Sequence, residues 1–370
     1  MFDLIFALVC ILPNVYLFLR FRHLFIAKNY RIIYALIYLL VVLIYPLNLL
    51  LIEENYELKY NIISIIARYI LPYYLYVALL MLLYDLFLLI NWPIQMISVA
   101  RRKSRIYRIT ALTILLLIPL GIDYYGIVNF NTIRTSEYQI TVPKKSSKIE
   151  HLKIAFVADF HLKMRSDIHF VERFAAKIAE IRPDLMIFGG DIVEGSGKGE
   201  KLDRIAKIFR GIETKYGVFA VLGNHESFGV QAKGQFFDKA GMKVLCDSIA
   251  VVDNSFSLAG RYDNHYTSRK RTEELMKSAP DSLPVILMDH RPTDIFQNSK
   301  TKVDIQFSGH THDGQLFPFN LIIDRLYPMK WGYTKIANTN FFLTSGIMLW
   351  GPPVRTVGKS EIVVVDVDFR

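Results

Sequence analysis

The run Val303-Asp304-Ile305-Gln306-Phe307-Ser308-Gly309-His310-Thr311-His312, written VDIQFSGHTH, closes an apolar strand-like segment with two imidazoles one residue apart. Alternation along an extended chain puts His310 and His312 on one side and Thr311 on the other. Two imidazoles converging from one side of a backbone make a pair of metal ligands, but a strand end with two solvated side chains is spelled the same way. The other strand ends of the chain decide between these readings.

Four more apolar runs end in polar residues of the same kind. KIAFVAD, from Lys153, rises to Asp159-Phe160-His161; after a helical stretch around Phe170 to Ile181, DLMIFGGD reaches Asp191. YGVFAVLGNHE then reaches Asn224-His225-Glu226, and LPVILMDH reaches His290. The ends of these runs therefore deliver Asp159, His161, Asp191, Asn224, His290, His310 and His312 to loops. In an α/β sandwich such ends share one edge, where sites are built. Glycine directly precedes Asp191, Asn224 and His310, which lets the backbone swing a ligand inward and approach an anion closely. Seven nitrogen and oxygen donors suit two hard or borderline metal ions and not a thiolate site. Two ions need a shared ligand, and Asp191, a carboxylate at the centre of the order, is the natural bridge. A pair of ions sharing a carboxylate is suited to phosphoester chemistry.

The amino-terminal part reads differently. Four apolar runs, Phe2 to Leu19, Ile32 to Ile52, Tyr69 to Ile90 and Ile109 to Val128, approach or exceed the roughly 20 helical residues that cross a hydrocarbon core. Pro13, Pro46, Pro72 and Pro119 interrupt them, as spanning helices tolerate. A cleaved signal peptide is a poor reading, because no basic segment precedes the first run. Arg20, Arg22, Lys28 and Arg31 follow the first run and Arg101, Arg102, Lys103, Arg105 and Arg108 follow the third, whereas the second loop carries Glu53, Glu54, Glu57 and Lys59. Basic loops are retained on the cytoplasmic side, so the amino terminus and everything after Val128 are expected outside the cytoplasm. The expected organisation is a membrane region over 1–128, a linker over 129–149 and an α/β domain over 150–370.

The net charge of +10 raises the question of nucleic acid. Residues 1–130 hold 11 Lys and Arg against 6 Asp and Glu, and the remainder 33 against 28, so each part is only +5. No basic patch interleaved with aromatics stands out, and no nucleic-acid partner is expected. Lys144, Lys145 and Lys148 follow the last span and either meet anionic head groups or belong to a solvated linker. Cys10 and Cys246 are the only cysteines, which excludes a disulfide framework. Asp85 and Asp123 sit near span ends and are expected to reach water. The segment Gly195-Ser196-Gly197-Lys198-Gly199 fails the spacing of a phosphate loop, since Ile192 stands where the first glycine belongs, and reads as a flexible loop.

The set DFH, GGD, GNHE, MDH and GHTH resembles the calcineurin-like metallophosphoesterase superfamily, over residues from about 150 to the carboxyl terminus. The tail TSGIMLWGPPVRTVGKSEIVVVDV is similar to the branch of small phosphohydrolases attached to a membrane by an amino-terminal segment. The resemblance implies a four-layer α/β/β/α sandwich after the spans. It implies that Asp159, His161 and His312 hold one metal ion, that Asn224, His290 and His310 hold a second, and that Asp191 bridges them. His225 then assists the leaving group without binding metal, and the ions are Mn, Fe or Zn. Asp313 departs from the pattern, standing where that branch carries glycine. Asp289 and Arg291 flank His290; Asp289 either orients a histidine or is solvated, and Arg291 either meets a phosphate or is solvated. The expected function is an integral-membrane phosphohydrolase acting on phosphate mono- or diesters, or diphosphates, of a lipid-linked or envelope substrate. The competing readings are a cytoplasm-facing lipid-precursor diphosphatase and a membrane scaffold that retains its metal site. A transporter gets little support from four short-looped spans without a repeat.

Overall fold

The computed structural model describes residues 2–48, 62–195, 197–227 and 230–370. The acidic second loop, the end of the second expected span and Ser196 lie outside the described residues, as does the side chain of Cys10. The chain divides into two compact units, Met1–Ile127 with Gly351–Val354, and Val128–Trp350 with Arg355–Arg370.

The first unit is helical: α1 (Phe2–Leu24), α2 (Arg31–Leu47), α3 (Ile62–Ile94), the short α4 (Val99–Lys103) and α5 (Arg105–Asn131). Among the described residues three helices, Lys28–Leu47, Ile63–Ile94 and Arg105–Asn131, are long and apolar enough to cross a membrane. The first expected span forms α1, but the side chains of its first nine residues lie outside the described residues. Leu17, Phe21, Val77, Met81 and Leu115 pack α1, α3 and α5 together. One expectation fails here: Asp123 is buried within α5, which extends past the expected end of the span. Asp85 stays partly exposed and has partners as well, accepting from Tyr16 Oη at 2.7 Å and pairing with Arg20. Arg20 reaches it because α1 runs on through Leu24, which puts Arg20 on a helix and not in a loop.

The second unit is built on two six-stranded sheets. The elements are β1 (Ile133–Val142), β2 (His151–Val157), α6 (Ile168–Ile181), β3 (Leu185–Phe188), α7 (Glu200–Arg210), β4 (Val218–Ala220), α8 (Val230–Lys239), β5 (Lys243–Val244), β6 (Ser248–Val252) and β7 (Phe256–Gly260). They continue with α9 (Thr272–Met276), β8 (Val285–Met288), α10 (Ile295–Asn298), β9 (Ile305–Ser308), α11 (Phe319–Leu326), β10 (Gly332–Ile336), β11 (Thr339–Leu343) and β12 (Ser360–Phe369). One sheet runs β1-β12-β2-β3-β4-β5 and the other β10-β11-β9-β8-β7-β6.

Strand alternation builds the layers. In β2 and β3, Phe156, Leu185 and Ile187 face the opposite sheet and meet Ile286, Phe307 and Phe342, with the Phe156 and Phe307 rings 4.9 Å apart. Their neighbours Ala155, Met186 and Phe188 point the other way, onto Phe170 and Phe174 of α6, Phe209 of α7 and Phe236 of α8. In β8, Ile286 and Met288 face inward while Val285 and Leu287 pack on Leu275 and Met276 of α9. Both faces of each strand are buried, which is why these runs read as continuous apolar stretches. The expected α/β/β/α sandwich is the observed architecture.

Residues 129–149, expected as a linker, carry β1, which pairs in parallel with β12 along its whole length. Two of the three clustered lysines are tied in as well. Lys144 pairs with Glu150 at 3.1 Å, and Lys145 pairs with Asp304 at 2.8 Å and donates to Leu283 O.

Candidate metal centre

Parallel pairing of β2, β3 and β4, and of β8 and β9, sets the carboxyl ends of five strands along one edge. The loops leaving those ends carry all seven expected ligands and His225. The backbone there is unusual: Asp159, His161, Asp191, His310 and His312 all have positive φ, between 48° and 73°. Non-glycine residues adopt that region rarely and at a cost, and such residues concentrate at functional sites. Two sheets meet at these loops, since His310 N–H donates to both oxygens of Asp159 at 3.1 Å; within one sheet, Gly309 N–H donates to His290 O at 2.8 Å.

The glycines before the ligands have a steric reason. A Cβ at Gly223 would lie 2.1 Å from Asp191 Oδ1, and one at Gly190 would lie 2.7 Å from His290 Nδ1. Any side chain at either position would displace a neighbouring donor.

Three groups of donor atoms converge, each with its atoms within 4.8 Å of one another: Asp159, His161 and His312; Asp191, His290 and His310; and His161, Asp191 and His225. Asp191 belongs to two of them. His161 Nε2 and His312 Nε2 face each other at 3.0 Å, and His290 Nε2 lies 3.2 Å from Asp191 Oδ2. Asn224 Oδ1 is buried and finds no hydrogen-bond partner among the described residues. His225 is half-buried; its ring stands edge-on to His161 at 4.8 Å, with Nε2 4.0 Å from Asp191 Oδ2.

The far nitrogens of the histidines are held. His161 Nδ1 donates to Glu194 at 2.7 Å and His290 Nδ1 donates to Gly189 O at 2.8 Å, which turns Nε2 of each ring toward the centre. His310 Nε2 bonds Tyr327 Oη at 2.9 Å. Outer partners of this kind orient metal-binding imidazoles. Facing imidazole nitrogens and a buried amide oxygen without a partner are costly unless a proton or a cation lies among them. A cation would satisfy these donors together, so the residues present fit a metal.

Charge at the centre follows. Burial alone would raise the Asp191 carboxyl, but His290, His161 and His225 together hold it well below the usual carboxylate range. Burial, helped by His290, pushes His310 down to about 3, leaving a neutral ring.

Sequence reasoning missed the outer partners. Glu226 is fully buried; its oxygens accept from the N–H groups of Asp191 (2.9 Å), Val193 (2.9 Å) and Gly223 (2.7 Å), fastening the Asp191 and Asn224 loops together. Burial pushes its carboxyl up to about 7. Only its place beside His225 in GNHE signals the role. Glu194 and Tyr327 carry no signal in spacing at all. Asp289 orients no histidine: it pairs with Arg261 at 2.8 Å and Arg269 at 2.8 Å. Arg291 is held by Asp263 at 2.7 Å. Asp313 is buried with φ 50°, and burial raises its carboxyl.

A four-layer sandwich with clustered Asp, His and Asn donors at the carboxyl ends of its strands defines a metallophosphoesterase architecture. Residues 152–314 match the model of the calcineurin-like phosphoesterase family, and the chain belongs to that family. It is 32% identical over 246 residues to an uncharacterized metallophosphoesterase of Aquifex aeolicus, a match covering 64% of this chain and 92% of that one. It is 30% identical over 222 residues to an uncharacterized metallophosphoesterase of Helicobacter pylori, covering 58% of this chain and 59% of the relative. The chain thus spans about three fifths of the length of the Helicobacter relatives it matches. A transmembrane protein with metallophosphoesterase domain from Danio rerio is 25% identical over 277 residues, covering 69% of this chain and 62% of that protein. Together with the apolar helices, that likeness supports membrane association.

Proposed function

We propose that this chain is a membrane-held, metal-dependent phosphoester hydrolase whose ions are bound by Asp159, His161 and His312 on one side, Asn224, His290 and His310 on the other, and Asp191 between. The carrying observation is that Asp191 lies in two donor groups, one with His161 and His225 from its own sheet and one with His290 and His310 from the other. When bound, a pair of divalent ions clamps phosphoryl oxygens and makes water acidic enough to attack near neutral pH. The chain's own residues do the rest. Glu226 and Glu194 hold the ligand loops and the His161 ring in place. His225, at the half-exposed mouth beside Asp191, is placed to give a proton to the departing oxygen. The full donor set supports an enzyme over a scaffold.

A substrate presented at a lipid surface is supported by α11. This helix follows the His310 loop directly, and its cap residue Tyr327 bonds His310. None of its residues is buried, and Phe319, Leu321, Ile322 and Leu326 are exposed. An apolar face beside a polar site is suited to a lipid-linked phosphate ester or diphosphate at the bilayer surface. Turnover is to be measured on p-nitrophenyl phosphate, bis-p-nitrophenyl phosphate and a phospholipid ester in vesicles. The variant Leu321→Ser/Ile322→Ser should keep its rate on the soluble esters. It should lose roughly tenfold or more on the vesicle substrate, since each side chain withdrawn from apolar surroundings costs about 1.5–3 kcal/mol. Equal loss on soluble and vesicle substrates would refute the lipid-surface reading.

The basic first and third loops support an extracytoplasmic catalytic unit. A reporter active only after export, fused after Asn131, should be active. A signal from a reporter active only in the cytoplasm would reverse the topology and favour the lipid-precursor diphosphatase.

A further inference from the structure

The helical unit contains a second polar site that hydrolysis does not use. A cavity of about 590 Å³ opens where the end of α1, the start of α2, the end of α3, α4 and the start of α5 come together. Its walls carry His23, Lys28, Arg31, Arg102, Lys103 and Arg108, and no acidic residue lines it. Arg108 Nε donates to Leu24 O at 2.9 Å, which joins the start of α5 to the end of α1. Arg31 Nε and Arg102 Nε are buried yet have no hydrogen-bond partner among the described residues. None of the five lysines and arginines forms an ion pair with a described carboxylate; the ion pair described in this unit joins Arg20 to Asp85.

Basic loops that merely fix topology need only lie on one side of the membrane. Such a role does not require five cationic side chains from two loops to converge on one cavity. Nor does it account for guanidinium nitrogens buried without an acceptor, a costly arrangement that an anionic ligand would relieve. The anion must offer several acceptor oxygens to forks arriving from different helices, which is the chemistry of a phosphate group. The cavity also lies at the ends of apolar helices, the level at which a bilayer presents its phosphodiester head groups.

We propose that this cavity binds a phosphate group, borne by an anionic lipid or free in solution. The full chain, purified in neutral detergent, is titrated with dioctanoyl phosphatidylglycerol and, separately, with inorganic phosphate, with bound copies counted by native mass spectrometry. The lipid Kd should rise roughly tenfold or more in Arg31→Gln/Arg102→Gln. Lys28→Gln/Lys103→Gln, at two exposed positions, provides a second arm with helical content checked by circular dichroism, and should weaken binding in the same direction. Lipid binding that excess inorganic phosphate does not displace assigns the site to a head group; displacement assigns it to the free ion. Failure of the wild-type chain to bind either probe, or equal binding by the wild type and a folded variant, overturns the proposal.

Discussion

Replacing Asp191 with alanine should abolish turnover, by more than about 10³-fold, as when one member of a group acting as a unit is removed. Metal content should fall with it. The carboxylate sits in two donor groups, lies 3.2 Å from His290 Nε2, and accepts the His225 N–H at 2.8 Å. Its loss leaves His161 and His290 facing a centre without its shared anion and frees the loop that carries His225. Asp191→Asn keeps the shape and one oxygen, and should retain more of the fold but little of the metal. A variant Asp191→Ala that keeps its full metal content would remove this residue from the bridging position.

His225→Ala should behave differently. Its ring is half-buried at the mouth, and the proposed role is to protonate a leaving oxygen. Removal should therefore leave metal content nearly intact while slowing the chemical step by roughly 10² to 10⁴. The slowing should be smaller for an aryl leaving group, which needs little protonation, than for an alkyl or lipid one. The geometry makes this a sharp test, because His225 also forms a compact donor group with His161 and Asp191. If His225→Ala loses metal as severely as Asp191→Ala, His225 is a ligand. If it hydrolyses alkyl esters at the original rate, the proton comes from another group.

The parts of the fold legible in the sequence are those written locally. The runs that lead to the site residues from β2, β3, β4 and β8 are mainly apolar because both faces of those strands are buried, whereas β9 also buries Gln306, and each run stops where a loop begins. The glycines before Asp191 and Asn224 were legible as places of close approach, and the structure supplies the reason in the atoms a Cβ would strike. What was not legible depends on partners distant in sequence. β1 looked like a linker because its only strand partner, β12, lies more than two hundred residues further on. Asp289 looked available for a histidine because Arg261 and Arg269, which claim it, are set by the packing of loops. Glu226 stands beside His225 in GNHE, but that place alone does not say that its oxygens collect the backbone donors of two loops, since a buried carboxylate and an exposed one are spelled alike.

The central claim is that Asp191 joins two ions into one centre, and electron paramagnetic resonance of the full chain loaded with Mn²⁺ tests it most directly. The account predicts two ions per chain whose spins are exchange-coupled, with the coupling lost in Asp191→Ala. A single uncoupled Mn²⁺ per wild-type chain, or coupling that survives Asp191→Ala, would contradict it.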